Sequence, residues 1–316
     1  SAVGTQWSSW FGIMASIFHC PIYFSYFWGF KSICIKRRDM SKKKILIVTQ
    51  EMEPYTNLSI VSKIVRELPG RISKEGMDIR ILMPRFGTIN ERRHRLHEVV
   101  RLSGMNIIVD EDDYPLIIKV ASLPGARLQV YFLDNDEFFR RKQMFKDKEN
   151  NVFSDNAERM VFFCKGVMET VRKFGWPPDI IHCHGWMTSL IPLYLKKAYK
   201  DDPIFRNAKL LYSIYESPFD KNLEDRFLEK ASINNLHEDD LKAYMNGEGL
   251  DLHHGALTYS DASILGSPEM KEDEDLMAYL KSLEQPLYIP ESDDIDEIMD
   301  GYMEFYKEMT DETVPE

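Results

Sequence analysis

Short apolar runs that alternate with amphipathic segments constrain the fold of this 316-residue chain more than any other feature. Residues 58–72 and 155–174 carry apolar side chains at helical spacing, which predicts two long helices. Strands that alternate with helices pair in parallel and are covered on both faces. The sequence therefore predicts an α/β domain with a parallel sheet. The apolar runs that predict its strands lie at 45–49, 79–83, 128–133, 179–184, 209–214 and 262–265, the last of which is expected to close the sheet.

Three further segments follow from the same patterns. Residues 99–109 and 116–123 are expected to be extended, with an acidic turn at 110–114 between them. Residues 187–199 are expected to form one helix after the strand at 179–184.

Residues 176–194 combine a buried strand with a polar cluster at its end. The apolar part of the strand leads into His182, Cys183 and His184, and Gly185 follows as a tight turn. In an open parallel sheet, ligands bind outside the carboxyl ends of the strands, so this cluster is a candidate site. The alternative is that the histidines are hydrogen-bonded core residues and that Trp186 packs in the core.

Five stretches of the chain carry a distinctive sequence pattern: KILIVTQ at 44–50 followed by EMEP, MPRF at 83–86, VYFLDNDEFF at 130–139, DNAERMVFFCKG at 155–166 and PDIIHCHGW at 178–186. These stretches resemble the glycogen/starch synthase family, in the family's order and at about its spacing. The match covers about 44–267, which corresponds to the amino-terminal half of such an enzyme. The resemblance implies a single Rossmann-like domain of the glycosyltransferase-B amino-terminal type. It also implies the family reaction, which transfers glucose from a nucleotide sugar to an α-1,4-glucan with retention.

Four residues match family positions near the sugar and are candidate glucan-binding residues: Asp155, Asn156, His184 and Trp186. His184 matches the histidine that faces the glucose in the family. For Asp155 the alternative is a helix cap, because Asp155 and Glu158 have the spacing of a capping box. The resemblance implies no cofactor and no metal ion.

The phosphate-binding loop departs from the family pattern. The family reads Lys-Thr-Gly-Gly-Leu after the first strand, and these positions hold Asn57, Leu58, Ser59, Ile60 and Val61 here. The glycines let backbone N–H groups approach a phosphate, and the lysine neutralises it. Ile60 and the uncharged Asn57 supply neither function. We therefore predict a degenerate nucleotide-sugar loop at Asn57, Ser59 and Ile60.

Other family positions also differ. The aspartate of the H-x-H-D-W block is Gly185, and the family's T-I-H-N has become Ser-Ile-Tyr215-Glu216, whose glutamate would repel a diphosphate. Fifty residues follow Gly266, fewer than a second Rossmann domain requires. We expect no counterpart of the arginine, lysine and glutamate that the family's carboxy-terminal domain supplies.

Two functions remain open on this evidence. The first is a non-catalytic, glycogen-synthase-like pseudoenzyme that binds α-glucan or a partner protein, with at most weak binding of a nucleotide sugar. The second is an active glucosyltransferase completed by another chain. In both cases we expect the isolated chain to be inactive or very weakly active.

The acidic charge of the chain is concentrated near its end. The net charge is −11, and from Pro268 onward seventeen Asp and Glu stand against three Lys. This asymmetry argues against a nucleic-acid partner and makes the tail a candidate docking site for a protein. Residues 269–283 and 293–309 read as acidic amphipathic helices. The apolar face of 293–309, which includes Tyr302 and Tyr306, is expected to dock on the 42–267 domain.

The first residues of the chain match nothing in the family. Residues 1–30 are uncharged and rich in aromatic side chains, and Lys36-Arg37-Arg38 follows. A membrane anchor is one interpretation, since about 20 apolar residues span a bilayer. Because His19 and Pro21 interrupt the apolar run, we instead predict a leader at 1–39 outside the folded domain. The predicted organisation is that leader, a synthase-like domain at 40–267 and an acidic helical tail at 268–316.

Four cysteines occur without a C-x-x-C motif: Cys20, Cys34, Cys164 and Cys183. This usage fits a reducing compartment with buried thiols. We therefore expect a cytoplasmic protein, with no membrane partner unless the leader belongs to the working protein.

Overall fold

The structure is a computed structural model that describes residues 43–216, 227–233, 236–246 and 249–311. The predicted leader at 1–39 lies outside the described residues, as does part of the polar stretch at 216–249.

Parallel pairing dominates the main sheet. Its strand order is β12-β11-β8-β7-β1-β2-β6-β5-β3, with β4 paired to β5, and β9 and β10 form a separate antiparallel pair. Neighbours from β12 to β6 are parallel, and the pairs that involve β5 are antiparallel. The predicted parallel sheet is confirmed. The strands are β1 Lys44–Thr49, β2 Asp78–Pro84, β3 His97–Glu98, β4 Met105–Val109, β5 Asp112–Ser122, β6 Gln129–Asp134, β7 Ile180–His184, β8 Lys209–Ile214, β9 Met245–Asn246, β10 Gly249–Leu250, β11 Ala262–Leu265 and β12 Leu287–Tyr288.

The α-helices range from three to nineteen residues. Short 3-10 segments lie at Trp186–Thr188, Lys242–Tyr244 and Pro268–Glu272, and a π-helical turn lies at Tyr194–Ala198. The α-helices are α1 Ile60–Lys74, α2 Glu91–His94, α3 Asp136–Phe139, α4 Asn156–Phe174, α5 Ile191–Leu193, α6 Phe227–Ala231, α7 Glu238–Leu241, α8 Leu252–Thr258, α9 Glu274–Ser282 and α10 Ile295–Asp311. Of these, none in the described part of the chain is both long enough and apolar enough to cross a membrane.

Helices α4 and α10 cover opposite faces of the sheet at β7. Successive side chains of a strand point to opposite faces. His182 meets Tyr306 of α10, whereas Cys183 lies beside Cys164 of α4. Both cysteines are free and buried, as their apolar contexts predict. The central strands, which are buried on both faces, therefore carry polar side chains. These side chains need hydrogen-bond partners from the flanking helices.

Helix α10 is part of the core. One face of it is buried on the domain, as the periodicity of 293–309 predicts. Arg71 of α1 pairs with Asp296 and, at 3.0 Å, with Asp300, so the acidic side of α10 is fixed on α1. The buried side chains of α10 are Ile298, Met299, Tyr302, Met303, Phe305, Tyr306 and Met309.

Three local predictions are wrong. Strand β11 does not close the sheet, because β12 pairs beyond it in parallel. The turn predicted at 110–114 is shorter, since β5 already begins at Asp112, which pairs with Val109 of β4. The single helix predicted at 187–199 is divided into 3-10, α and π segments. Pro192 lacks an N–H donor, so a continuous α-helix through this position would lose a hydrogen bond.

Candidate functional site

A topological switch point lies between β1 and β7. From β1 the chain passes to β2 and β6 on one side and then returns to β7 on the other. Thr49 and His184 are register partners at the carboxyl ends of these strands. This is the position where open α/β sheets bind ligands. A cavity of about 720 Å³ opens here, lined by residues 50–51, 55–59, 61, 88, 142–146 and 216.

The first wall of the cavity is the loop between β1 and α1, which the Glu51 carboxylate organises. Its Oε2 accepts the backbone N–H groups of Leu58 and Ser59, both at 2.9 Å, and its Oε1 accepts the Ser59 hydroxyl at 2.6 Å. Ser59 Oγ in turn accepts the N–H of Val61 at 3.2 Å and caps α1. Donors at the start of this helix are therefore already bonded to oxygens of the chain itself.

Only two of the three residues of the predicted degenerate loop lie at the cavity. Asn57 and Ser59 line the cavity, and Asn57 Oδ1 accepts the Ser62 hydroxyl at 3.3 Å. Ile60 does not line the cavity, and its side chain is 42% exposed. At Asn57 and Ser59 the cavity wall thus presents neutral groups. That this loop binds a nucleotide sugar at most weakly remains a prediction.

The second wall, residues 142–146, is fixed from behind by α4. Arg159 donates to the carbonyls of Phe138 at 2.7 Å and Met144 at 2.5 Å, and to Asn156 Oδ1 at 2.8 Å. Asn156 donates to the carbonyl of Phe145 at 3.0 Å. Burial lowers the pKa of Arg159 to about 10, so the guanidinium stays charged at neutral pH. Arg159 was not among the site residues predicted from the sequence. A charged residue among the buried positions of a predicted helix was the signal that could have identified it.

Gly185 lies between the two walls with a φ of 85°. A Cβ at this position would lie 2.4 Å from Gln50 Oε1. The same oxygen accepts the N–H of Met187 at 3.3 Å. Gln50 therefore occupies the space into which the aspartate of the family pattern would project. The local structure thus fits a glycine at position 185.

His184 is fully buried in this structure. Its Nδ1 lies 3.0 Å from the hydroxyl of Tyr215, and its ring lies tilted against that of His182 at a centroid distance of 3.8 Å. Its Nε2 has no hydrogen-bond partner among the residues that the structure describes. Burial lowers the pKa of His184 to about 3 and holds that of His182 well below its usual value. Both imidazoles are therefore neutral at pH 7.

The other three candidate sugar-binding residues lie behind the second wall. Trp186 and Asn156 are buried, and Trp186 meets the ring of Phe145 at 5.0 Å. Asp155 pairs with Arg141 and makes no side-chain capping bond, so the capping box predicted for it is wrong. The structure thus brings Asn156 and Trp186 together through Phe145, which itself lines the cavity. A role for these residues in glucan binding stays a prediction.

Two further histidines, His253 and His254, are packed against tyrosines. His253 Nδ1 lies 2.9 Å from the Tyr212 hydroxyl, and the ring of His254 stacks on Tyr279 at 3.7 Å. Both side chains are half-buried. Within the described residues, His, Cys, Asp and Glu form no group of three that could hold a metal ion.

Among known protein families, residues 44–285 match the family described as "Starch synthase catalytic domain". The chain belongs to this family. The match includes β1, the loop to α1, α4, β7 and β11, so it covers the elements that surround the cavity. The chain is thus a glycogen/starch-synthase-like domain.

Curated relatives of this family member include bacterial glycogen synthases. The glycogen synthase of Chlorobium luteolum is 41% identical over 175 residues, which are 55% of this chain and 36% of the relative. That of Chlorobium phaeovibrioides is 33% identical over 231 residues, 73% of this chain and 47% of the relative. The chain thus spans less than half of the length of these relatives.

A solved structure shows the same fold. The catalytic domain of Starch Synthase IV from Arabidopsis thaliana, bound to ADP and acarbose, superposes with a TM-score of 0.64 at 18% sequence identity. The superposition covers 78% of this chain and 51% of that chain. This likeness confirms the predicted glycosyltransferase-B type of α/β fold.

Proposed function

We propose that this domain binds an α-glucan in the cavity between β1 and β7 and does not transfer glucose on its own. One observation carries the proposal: the loop wall presents Asn57 and Ser59 where the family pattern has a lysine and a glycine. Side-chain amides and hydroxyls suit sugar hydroxyls, whereas a diphosphate needs positive charge and open N–H groups.

The charges on this side of the cavity oppose a diphosphate. Glu51 lies in the loop wall and Glu216 lines the cavity from the end of β8. A missing charge-assisted contact costs about 1.5–3 kcal/mol, so the loss of several at the loop wall weakens the binding of a diphosphate to that wall by orders of magnitude. Sugar hydroxyls are uncharged and are not subject to this repulsion.

Asn156 and Trp186 act as positioning residues in this proposal. Both are buried, so their contribution passes through Phe145, whose carbonyl accepts from Asn156 and whose ring meets Trp186. His184 contributes a neutral imidazole beneath the site. A protein partner, if the tail binds one, would meet α9, where Glu274 and Asp275 are exposed, because the apolar face of α10 is already buried.

The test is a binding and transfer experiment on the full chain. Calorimetry should detect a maltooligosaccharide at concentrations where ADP-glucose and UDP-glucose give no signal, and radiolabelled glucose should not appear in the glucan. Transfer well above background that is lost in His184→Ala would contradict the proposal. It would favour the alternative of an active glucosyltransferase.

A further inference from the structure

Among the described residues, two lysines on the second wall of the cavity have no partner in an ion pair. Lys142 and Lys146 both line the cavity, and neither has a carboxylate within ion-pair distance in the described parts of the chain. Arg141, beside them in the sequence, differs because it pairs with Asp155. The positive charges of Lys142 and Lys146 are therefore available to a ligand.

These lysines stand on a rigid support. The carbonyls of Met144 and Phe145, which lie between them in the chain, accept hydrogen bonds from Arg159 and Asn156. The wall is thus fixed by buried side chains of α4, and the backbone positions from which the two ammonium groups extend are set before a ligand arrives. A preorganised charge loses less entropy on binding than one on a flexible loop.

The opposite wall carries neutral hydrogen-bonding groups. Thr56 and Asn57 line it, and the carboxylate of Glu51 is engaged by two backbone N–H groups and a hydroxyl. The cavity therefore has one wall suited to sugar hydroxyls and one suited to an anion. A ligand that satisfies both is a saccharide that bears a negative group.

We propose that the cavity binds an α-glucan segment that carries a phosphate ester, with the phosphate against Lys142 and Lys146. This inference rests on the proposed glucan binding and adds the substrate class. A phosphate ester carries a charge of about −1.5 to −2 at neutral pH and three acceptor oxygens, which two ammonium groups can share. A nucleotide sugar offers the same phosphate chemistry, so the experiment must separate the two sources.

The experiment measures the affinity of the full chain for two maltooligosaccharides of equal length, one of which bears a single phosphate ester. We expect the phosphorylated ligand to bind roughly tenfold more tightly at low salt, and the ratio to shrink at high salt because the lysines are partly exposed. In the double variant Lys142→Gln, Lys146→Gln the ratio should fall toward one, with neutral binding retained. Lys148→Gln is the matched control, since this exposed lysine of the same segment does not line the cavity.

Each other result is decisive. Equal affinity of the wild-type chain for the two oligosaccharides overturns this inference and leaves the proposed glucan binding intact. A preference that survives the double variant also overturns it, because the phosphate then binds elsewhere. Tighter binding of ADP-glucose than of the phosphorylated glucan, lost in the double variant, assigns the lysines to a nucleotide and overturns it. Absence of binding to either oligosaccharide contradicts the proposed function itself.

Discussion

The hydroxyl of Tyr306 lies 2.5 Å from Nδ1 of His182, and the two residues are 124 positions apart in the sequence. Ser213 Oγ lies 2.7 Å from Nε2 of the same ring. Both ring nitrogens are thus hydrogen-bonded although the ring is fully buried. Because a buried polar group without a partner is destabilising, these contacts couple α10 to β7 and β8.

The first prediction concerns this contact. Tyr306→Phe removes the hydroxyl and leaves Nδ1 of His182 buried without its partner, so the free energy of unfolding should fall by about 1–3 kcal/mol. Urea denaturation measures it. Tyr131→Phe is the control, since the hydroxyl of Tyr131 is bonded at the surface to Gln129, and a change within about 0.5 kcal/mol is expected. Equal losses in the free energy of unfolding would show that the buried Tyr306 contact stabilises the fold no more than the exposed Tyr131 contact does.

The second prediction is a pH dependence of stability. Burial depresses the pKa of His184 to about 3, whereas the unfolded chain has an ordinary histidine pKa of about 6.5. Between these values the unfolded state binds the proton and the folded state does not, so acid favours unfolding. His184 should therefore cost about 1.4 kcal/mol of stability for each pH unit below 6.5, until the folded pKa is reached. His182, whose pKa is also lowered, acts in the same direction.

Denaturation of His184→Gln over pH 4–7 checks this. The variant should lose about 1.4 kcal/mol per pH unit of the slope between pH 6 and 4, whatever its stability at pH 7. An unchanged slope in His184→Gln would mean that the imidazole is protonated in the folded state.

The third prediction restores the family aspartate. Gly185→Asp forces a side chain onto a residue with a φ of 85°, and its Cβ would lie 2.4 Å from Gln50 Oε1. We expect the free energy of unfolding to drop by about 2–4 kcal/mol. Adding Gln50→Ala removes the clash but not the backbone strain, so part of the loss should return. Recovery of none of the loss would show that strain alone is responsible.

The fourth prediction restores the phosphate loop. The triple substitution Asn57→Lys, Ser59→Gly, Ile60→Gly adds the charge and opens the backbone that the family pattern has. We expect ADP to bind at least about tenfold more tightly, since one charge-assisted contact contributes about 1.5–3 kcal/mol and partial exposure reduces it. The neutral triple variant with Asn57→Gln separates charge from backbone and should gain less. No gain in either variant would place the barrier to nucleotide binding outside the loop.

The central strands and long helices were predictable because their burial is encoded locally. Residues 45–49 and 180–184 are buried throughout, which is the pattern of a strand covered on both faces. Helix α4 follows from its apolar stripe. Strand β12 was not predictable, because two residues carry too little periodicity and its partner β11 lies more than twenty positions away.

The location of the site was predictable from the sequence, but the contacts of its residues were not. The polar cluster after β7 indicated the right edge of the sheet. The burial of His184 was not visible, since it depends on Tyr215, which follows β8, and on the neighbouring ring of His182. The role of the Glu51 carboxylate was not predictable, because Glu51 precedes the first residue of α1 by nine positions and meets the N–H groups of Leu58 and Ser59 only in the folded loop. Arg159 could have been recognised as a charged residue on the apolar stripe of α4.

The position of α10 has a consequence for biosynthesis. The face that it covers is built from β7 and α1, which leave the ribosome long before residues 295–311 are made. Until then His182 lacks the Tyr306 hydroxyl, and the apolar surface under Met299 and Tyr302 faces water. The nascent chain thus passes through a stage in which its sheet can form but one side is uncovered, and contacts of such long sequence separation form slowly. During that interval the uncovered apolar face is exposed to contact with other chains, until residues 295–311 are made and pack on it.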